Sequence, residues 1–463
     1  MEIKIVSNKN IIFQLICFAV LSLFAFLPLA ALVDPSKHGV LFNLFGAFAI
    51  LALAVCLVWG IIRFSWRSMR LGVKSALKLQ LSSLKSFFAT RKEALFLLVM
   101  YILVLVSAIF VSGTERSLKG TDFRPDGVYM YTVFFALYYF AVMLKNKDFK
   151  RVVTGFYILS FAVCAFVMVQ QYLGILGSAN AEYCPEMAKG LSNIYDRLGF
   201  RVGHFYKGET ASFYNLNHMG YYTTIGACLC TALFYKSKNI FSALFSAVLC
   251  AFAYWTLIVN NTFGCFIAVS VTILFFAVFL AVRKKVNFIK AFVPVLVFVV
   301  ICVGVTLKPF GDGESIISTN FSVISSDVKE ISESENKEDV DAGSGRWKLW
   351  VNTVDMIREK PLLGYGVDNL KSEYTERDVK LDRAHCEILE HSVSSGIPAA
   401  ILYISAILFA FFSSLKKLNT DVTEGSTLAP LMAVCAYAIS ALVGVFLFYT
   451  ACHFIIMLGL IRE

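Results

Sequence analysis

One histidine of the chain stands at the predicted start of a helix, where it could accept a proton. His385 belongs to the segment AHCEILEHSVSSGIP (384–398), which predicts a helix that begins near Asp382 and is broken by Gly396 and Pro398. The positive end of a helix dipole disfavours the imidazolium form, so a histidine in the first turn stays neutral and can act as a base. The alternative is a surface histidine that only forms hydrogen bonds.

A second predicted helix begins with an arginine. Arg346 lies in its first turn beside Ser344, a candidate N-cap, and Pro361 ends the helix. The apolar residues recur three and four positions apart, which favours an amphipathic helix lying against the protein or the membrane surface; they are Trp347, Trp350, Val351, Val354 and Ile357. The polar stretch 311–341 that precedes it has few apolar residues to pack and is predicted to be mobile.

These segments must be held by helices that cross a membrane. The chain is 58% hydrophobic and only 16% charged, whereas soluble proteins have about 25% charged residues. Its apolar runs reach the roughly 20 residues that a crossing needs; they are 11–33, 39–62, 94–112, 128–144, 152–174, 219–235, 240–259, 262–282, 288–306, 396–414 and two short spans within 428–461. We therefore predict an all-α polytopic membrane protein with about 12 transmembrane helices.

The charges predict how the chain is oriented. Basic loops fall on one side if the spans alternate, and this side is cytoplasmic by the positive-inside rule; these loops are 63–93, 145–151, 236–239 and 283–285. Residues 307–393 then lie outside, with eleven Lys and Arg against eighteen Asp and Glu, a net charge of −7. The prediction is a bacterial cytoplasmic (inner) membrane protein with both termini cytoplasmic and a large extracytoplasmic helical loop between spans 9 and 10.

The same pattern divides the chain into four parts: 1–174 with helices 1–5, 175–306 with an outer loop and helices 6–9, the outer loop 307–395, and 396–463 with helices 10–12. The net charge of +10 comes from basic residues in short loops on one side of the spans. This placement is explained by the positive-inside rule, so we predict no nucleic-acid partner. The loop 63–93 is also amphipathic, which favours contact with anionic lipids of the inner leaflet; an ordinary basic loop that sets the topology is the alternative.

Four segments resemble the O-antigen ligase and O-antigen polymerase-like family: FYNLNHMGYY (213–222), SGRWKLW (344–350), KPLLGYGVDNL (360–370) and AHCEILEHSVSSGIP (384–398). The resemblance covers roughly residues 195–463. It implies metal-independent transfer of a glycan from an undecaprenyl-pyrophosphate carrier to an acceptor hydroxyl on the outer side of the membrane, with no cofactor. The implied partners are that carrier, a glycan or lipid acceptor, and membrane lipids.

The resemblance also implies roles for particular residues. Arg346 and Arg201 bind the pyrophosphate, because a guanidinium offers permanently charged, bidentate donors. His385 acts as the base, and Glu387 is the second catalytic candidate. Residues expected to line the substrate site are Asp382, Asn217 and His218. No His, Cys and Asp cluster has the spacing of metal ligands.

The chain departs from the family pattern twice. Cys386 stands where the family usually has Asn after its His, and Thr262–Phe263–Gly264 lacks the family's basic residue. The first change bears on the orientation of His385, and the second removes one phosphate contact unless another cation replaces it.

Other functions remain open at this point. A lipid-linked oligosaccharide flippase or transporter predicts polar or charged residues along the spans, which are almost free of them, with Lys290 at an edge and His453 in the last run. A membrane scaffold is a third hypothesis. Arg346 could bridge the acidic loop instead, Asn217 and His218 could cap a membrane helix, and ligase and polymerase are not distinguished.

Overall fold

The computed structural model describes residues 2–121, 124–172, 210–213, 215–306, 316–333, 343, 345–418 and 426–461. Within these ranges the regular structure is helical, without a β-strand. The first helices are α1 Glu2–Ala25, α2 Leu27–Ala30, α3 His38–Leu71, α4 Val73–Thr90, α5 Lys92–Val106, α6 Glu115–Lys119, α7 Val128–Met143 and α8 Lys147–Tyr172. The following ones are α9 Leu216–Lys236, α10 Ile240–Val259, α11 Phe263–Val282, α12 Phe288–Thr306, α13 Ile316–Glu333, α14 Arg346–Glu359, α15 Leu370–Glu376, α16 Glu387–Ser395, α17 Ile397–Lys417, α18 Leu428–Ser440 and α19 Phe448–Leu460.

The twelve apolar runs all coincide with helices, which confirms the all-α class. Seven helices of the described residues are long and apolar enough to cross a membrane, namely His38–Leu71, Lys92–Ser112, Lys147–Gln171, Ile240–Val259, Phe263–Val282, Phe288–Val305 and Ile397–Lys417. Shorter apolar helices cover Ile11–Ala25, Val128–Met143, Leu428–Val443 and Phe448–Leu460. The count of twelve crossings, the place of the large loop, the orientation and the division into four parts stay predictions.

Helix α9 lies at the centre of the bundle. It packs against α10 and α18, while α5 packs against α17 and α7 against α19. Almost every residue of α9 from His218 onward is buried, although the helix carries tyrosines and threonines. Gly226 permits close approach of α8, because a Cβ there would lie 2.2 Å from the ring of Phe161. A polar helix is thus packed inside more apolar ones, as expected where a membrane protein builds a site.

Residues 345–395 form a small helical unit with its own apolar core. This core contains Leu349, Met356, Tyr365, Leu370, Tyr374, Val379 and Val393, with Trp350, Ile357 and Leu381 at its edge. The polar stretch 311–341, predicted to be mobile, contains a helix that the sequence pattern did not predict, Ile316–Glu333. The apolar residues of that stretch are spaced three and four apart, a period that its Ser and Glu content obscured.

The buried face of α14 differs from the predicted one. Leu349, Thr353 and Met356 point inward, whereas Val354 is 36% exposed. The hydroxyl of Thr353 donates to the Leu349 carbonyl at 2.6 Å and lies 2.7 Å from the Tyr374 hydroxyl. A polar residue whose hydrogen bonds are satisfied can therefore take a core position that the apolar pattern assigns to other residues.

A turn after α14 is locked to the end of α16 by backbone hydrogen bonds. Tyr365 N–H donates to the Val393 carbonyl at 2.9 Å, and Ile397 N–H donates to the Pro361 carbonyl at 2.8 Å. Gly364 and Gly396 have φ of +63° and +92°, and backbone atoms fill the space where their Cβ atoms would stand. Gly364, the first glycine of the GYG turn (364–366), and Gly396 therefore serve close backbone packing.

We predict that Gly396→Ala destabilises the fold by about 2–4 kcal/mol, from backbone strain at positive φ and from overpacking. A Cβ at Gly396 would lie 2.0 Å from the Leu362 carbonyl oxygen. The measurement is the unfolding midpoint of the purified protein in detergent. Gly155→Ala is the matched control, because a Cβ there meets nothing within 4 Å; equal midpoints for the two variants would refute the role of the turn.

Candidate functional site

His385 lies in the turn just before α16. The helix begins at Glu387, with Cys386 as N-cap, so the predicted start near Asp382 is wrong and His385 lies outside the first turn. The φ of His385 is +49°, a left-handed conformation that non-glycine residues rarely adopt and that is retained where surrounding structure holds it.

The residue before the histidine is held from both sides. Ala384 N–H donates to the Glu390 carboxylate at 2.8 Å, and its carbonyl accepts from the Trp350 indole at 2.9 Å. Cys386 makes no capping hydrogen bond through its side chain. The orientation of His385 therefore depends on Glu390 and Trp350, and the absence of Asn at position 386 does not release the turn.

The imidazole of His385 is mostly buried beside an arginine. Burial, and next the guanidinium of Arg346, lower the pKa of His385 to about 4, while Asp382 opposes them. The histidine is therefore neutral at physiological pH, as the sequence predicted, although the cause is burial and a cation. No carboxylate of the described residues forms an ion pair with Arg346, which also acts electrostatically on Tyr221.

A second arginine, which sequence reasoning missed, approaches from the loop between α5 and α7. Arg124 donates to the Asp382 carboxylate at 2.6 Å, and both side chains are about one-third exposed. Burial tends to raise the pKa of Asp382, but the hydrogen bond from Arg124 and the charges of Arg124 and Arg383 together outweigh it and lower the pKa. A signal existed, because this predicted outer loop carries Arg116, Lys119 and Arg124 against the positive-inside rule.

Beneath these residues a buried arginine joins three segments. Arg383 is 4% exposed and contacts Asp126 at 2.9 Å, Asp368 at 2.6 Å and Glu390 at 3.6 Å. Burial acts to lower the pKa of Arg383, but these carboxylates outweigh it and raise the pKa. Arg116 also donates to Asp368, at 3.1 Å. This buried charge network fixes the loop before α7, the turn after α14 and the start of α16 to one another.

The N-terminus of α9 forms another wall of the site. Asn215 caps the helix and accepts from the Asn217 N–H at 2.8 Å. The side chain of Asn217 is half-buried. The ring of His218 stacks on Tyr449, with centroids 4.8 Å apart, and interacts electrostatically with His385 and Arg124. Its Nδ1 atom is buried and has no hydrogen-bond partner in the described part of the chain.

The side chain of Glu387 points into the helix bundle. It is 1% exposed, and its two carboxylate oxygens accept from Tyr403 of α17 and Tyr437 of α18. Burial raises the pKa of Glu387 to about 7, although both tyrosines act to lower it. Its carboxyl is therefore placed to hold the start of α16 against the bundle.

The segment Thr262–Phe263–Gly264 serves packing at the entrance of α11. Thr262 donates to the amide oxygen of Asn260 at 2.7 Å, and the Asn260 amide donates to the Leu216 carbonyl at 3.1 Å. A Cβ at Gly264 would lie 2.5 Å from Val443. The first turn of α9 is thereby fixed beside α11.

The structure thus brings together His385, Arg346, Asp382 and His218, with Glu387 buried below. Asn217 lies at the edge, where its backbone N–H donates to the Asn215 side chain. Arg201 lies outside the described residues. A neutral imidazole beside the Arg346 guanidinium can accept a proton from a hydroxyl while the arginine binds an anionic group close by.

Two comparisons with known proteins bear on this site. No curated protein matches the chain. Residues 245–404 match the protein-family model described as O-Antigen ligase, a range that includes α14, the GYG turn, His385 and α16. This similarity over residues 245–404 supports an O-antigen ligase-like family, as the resemblance of the sequence predicted.

Proposed function

We propose that the protein transfers a glycan from a polyprenyl-pyrophosphate carrier, of the undecaprenyl type, to an acceptor hydroxyl on the outer side of the cytoplasmic membrane. One observation carries the proposal: within the O-antigen ligase domain, neutral His385 lies beside Arg346, which no described carboxylate neutralises. A buried base next to a cation without a counter-ion is suited to a substrate that brings both a hydroxyl and a negative charge.

In the proposed reaction the acceptor oxygen attacks the anomeric carbon of the carrier-linked sugar. The new carbon–oxygen bond forms as the bond from that carbon to the pyrophosphate oxygen breaks, and both electrons of the broken bond leave with the pyrophosphate. The acceptor proton passes to the imidazole of His385. Assistance by a positioned base of this kind contributes about 10²–10⁴-fold to a rate.

Arg346 and Arg124 are the proposed pyrophosphate ligands among the described residues, and Arg201 is a third candidate. Arg346 is not neutralised by a described carboxylate, and Arg124 uses one terminal nitrogen on Asp382 while its side chain remains 34% exposed. Guanidinium groups stay charged and bind phosphate oxygens in a bidentate manner. Arg124 thereby supplies a cation that the Thr262–Phe263–Gly264 segment lacks.

His218 and Asn217 are proposed to bind the acceptor. A buried nitrogen without a partner costs free energy, unless a ligand supplies the missing hydrogen bond. The Nδ1 atom of His218 is such a nitrogen in the described part of the chain, and an acceptor hydroxyl would satisfy it. Glu387, held by two tyrosines, is proposed as a positioning residue for the turn that carries His385.

We predict that His385→Asn lowers kcat about 10²–10⁴-fold and leaves carrier binding unchanged, because the base is lost while asparagine tolerates the left-handed backbone. The measurement is turnover of a polyprenyl-pyrophosphate-linked oligosaccharide by purified protein in detergent. Cys386→Ser is the matched control, since serine at the N-cap stabilises the helix start and keeps the base. A kcat for His385→Asn within threefold of wild type would remove the histidine from the mechanism.

The same assay separates the other functions. Release of a longer carrier-linked glycan indicates a polymerase, and transfer to a different acceptor indicates a ligase. Tight carrier binding with no transfer by wild type would instead favour the flippase or the scaffold.

We predict that Arg346→Gln weakens carrier binding about 10- to 100-fold and that Arg346→Lys restores only part of it. Hydrogen bonds to charged groups contribute about 1.5–3 kcal/mol, and a lysine cannot reproduce the planar fork. Arg358→Gln on the same helix is the matched control, because Arg358 is 76% exposed and pairs only locally with Asp355 at 2.8 Å. Equal affinities of the Arg346 and Arg358 variants for the carrier would refute the assignment.

We predict that the transfer rate stays constant between about pH 5 and 7 and falls as the pH drops through about 4, because the pKa of His385 is lowered to about 4. An ordinary histidine base would lose its activity through about pH 6.5. In Arg346→Gln the acid limb should move to higher pH, since one cation is removed. Glu387, with a pKa of about 7, would titrate in the same pH range, and the variant Glu387→Gln removes that titration. A limb near pH 6–7 that persists in this variant would contradict the prediction.

A further inference from the structure

Helix α4 is exposed along nearly its whole length. Among its 18 residues only Ala76 is buried, while Val73 and Leu81 are 64% and 56% exposed. Helices of this length are marginal in water when nothing covers their apolar side. Its end is fixed, because Phe87 and Phe88 pack partly against the core of the bundle. An additional surface must therefore cover the rest of α4.

The exposed side chains of α4 are sorted into three faces. Val73, Leu77, Leu81, Leu84 and Phe88 follow one another at intervals of three and four residues, so they form one apolar stripe. Lys74, Lys78 and Lys85 each follow a stripe residue directly and thus lie along one border of the stripe. Serines occupy the far side, at positions 75, 82 and 86.

Helix α4 continues from a membrane-crossing helix. Helix α3 has 34 residues, about 51 Å at 1.5 Å per residue, whereas a hydrocarbon core is about 30 Å thick. Its last turns therefore extend beyond the core, and they carry Arg63, Arg67 and Arg70. Gly72, with φ of +78°, then turns the chain into α4. The stripe thus begins near the place where α3 leaves the membrane.

We propose that α4 lies in the membrane–water interface and binds anionic phospholipid headgroups through Lys74, Lys78 and Lys85. Its apolar stripe enters the boundary of the acyl chains, and the lysines extend from the border of the stripe to the phosphate level. The proposal goes beyond the proposed transfer reaction and does not depend on it.

The charges favour a lipid surface as the occupant. The sequence contains no Asp or Glu from position 35 through 92, so no acid on α3 or α4 neutralises these lysines and arginines. A leaflet of anionic lipids attracts such a segment in proportion to its number of cations. Continuity with α3 places the stripe at the membrane surface without any further partner.

The test is hydrogen exchange of the full-length protein in nanodiscs. In anionic phosphatidylglycerol discs, peptides from 73–90 should exchange at least about tenfold more slowly than in phosphatidylcholine discs. The reason is that each lysine near an anionic surface contributes about fivefold to binding. The triple variant Lys74→Glu, Lys78→Glu and Lys85→Glu should lose this difference. A matched variant, Lys145→Glu, Lys147→Glu and Lys284→Glu, reverses three exposed charges in other basic loops and should keep it.

Equal exchange of 73–90 in the two kinds of disc would overturn the proposal, as would loss of the difference in both variants. Protection of α4 in lipid-free detergent by a co-purified protein would assign the stripe to that protein and also overturn it. Because the readout is exchange of one helix, failure of glycan transfer leaves the result unaffected.

Discussion

The ion pairs of the buried Arg383 guanidinium are the interactions on which the segment around His385 depends. A charge taken out of water is stable only with partners, and removing one partner of a buried pair costs about 3–5 kcal/mol. Arg383 finds its partners in Asp126, Asp368 and Glu390, which belong to three separate segments. The turn that carries His385 is held because Glu390 also accepts from the backbone of Ala384.

The arginines of the site divide according to how many carboxylates each contacts. Arg383 has three and is almost inaccessible, so its charge is used within the protein. Arg124 has one carboxylate partner, Asp382, and is partly exposed, whereas no carboxylate of the described segments pairs with Arg346. Charge that the protein leaves uncompensated at its surface is available to a ligand. The same residue type therefore serves structure in one position and, in the proposed function, substrate binding in another.

The fold class and the candidate residues His385 and Arg346 could be named from the sequence because each depends on a local pattern. The apolar runs are long, and His385 and Arg346 stand in motifs of the family. Arg124 and Tyr449 could not be named, since they come next to Asp382 and His218 only through tertiary packing. The start of α16 was misplaced because the left-handed φ of His385 is imposed by Trp350 and Glu390, which no local propensity encodes.

The hydrogen bonds of Glu387 connect the candidate site to helices that are synthesised late. Its partners Tyr403 and Tyr437 lie on α17 and α18, and the stacking partner of His218, Tyr449, lies on α19. A ribosome makes these helices after every other part of the site. The growing chain therefore holds Arg124, His218, Arg346 and His385 before the tyrosines that support them are present, so the candidate site is complete only after α17, α18 and α19 have packed.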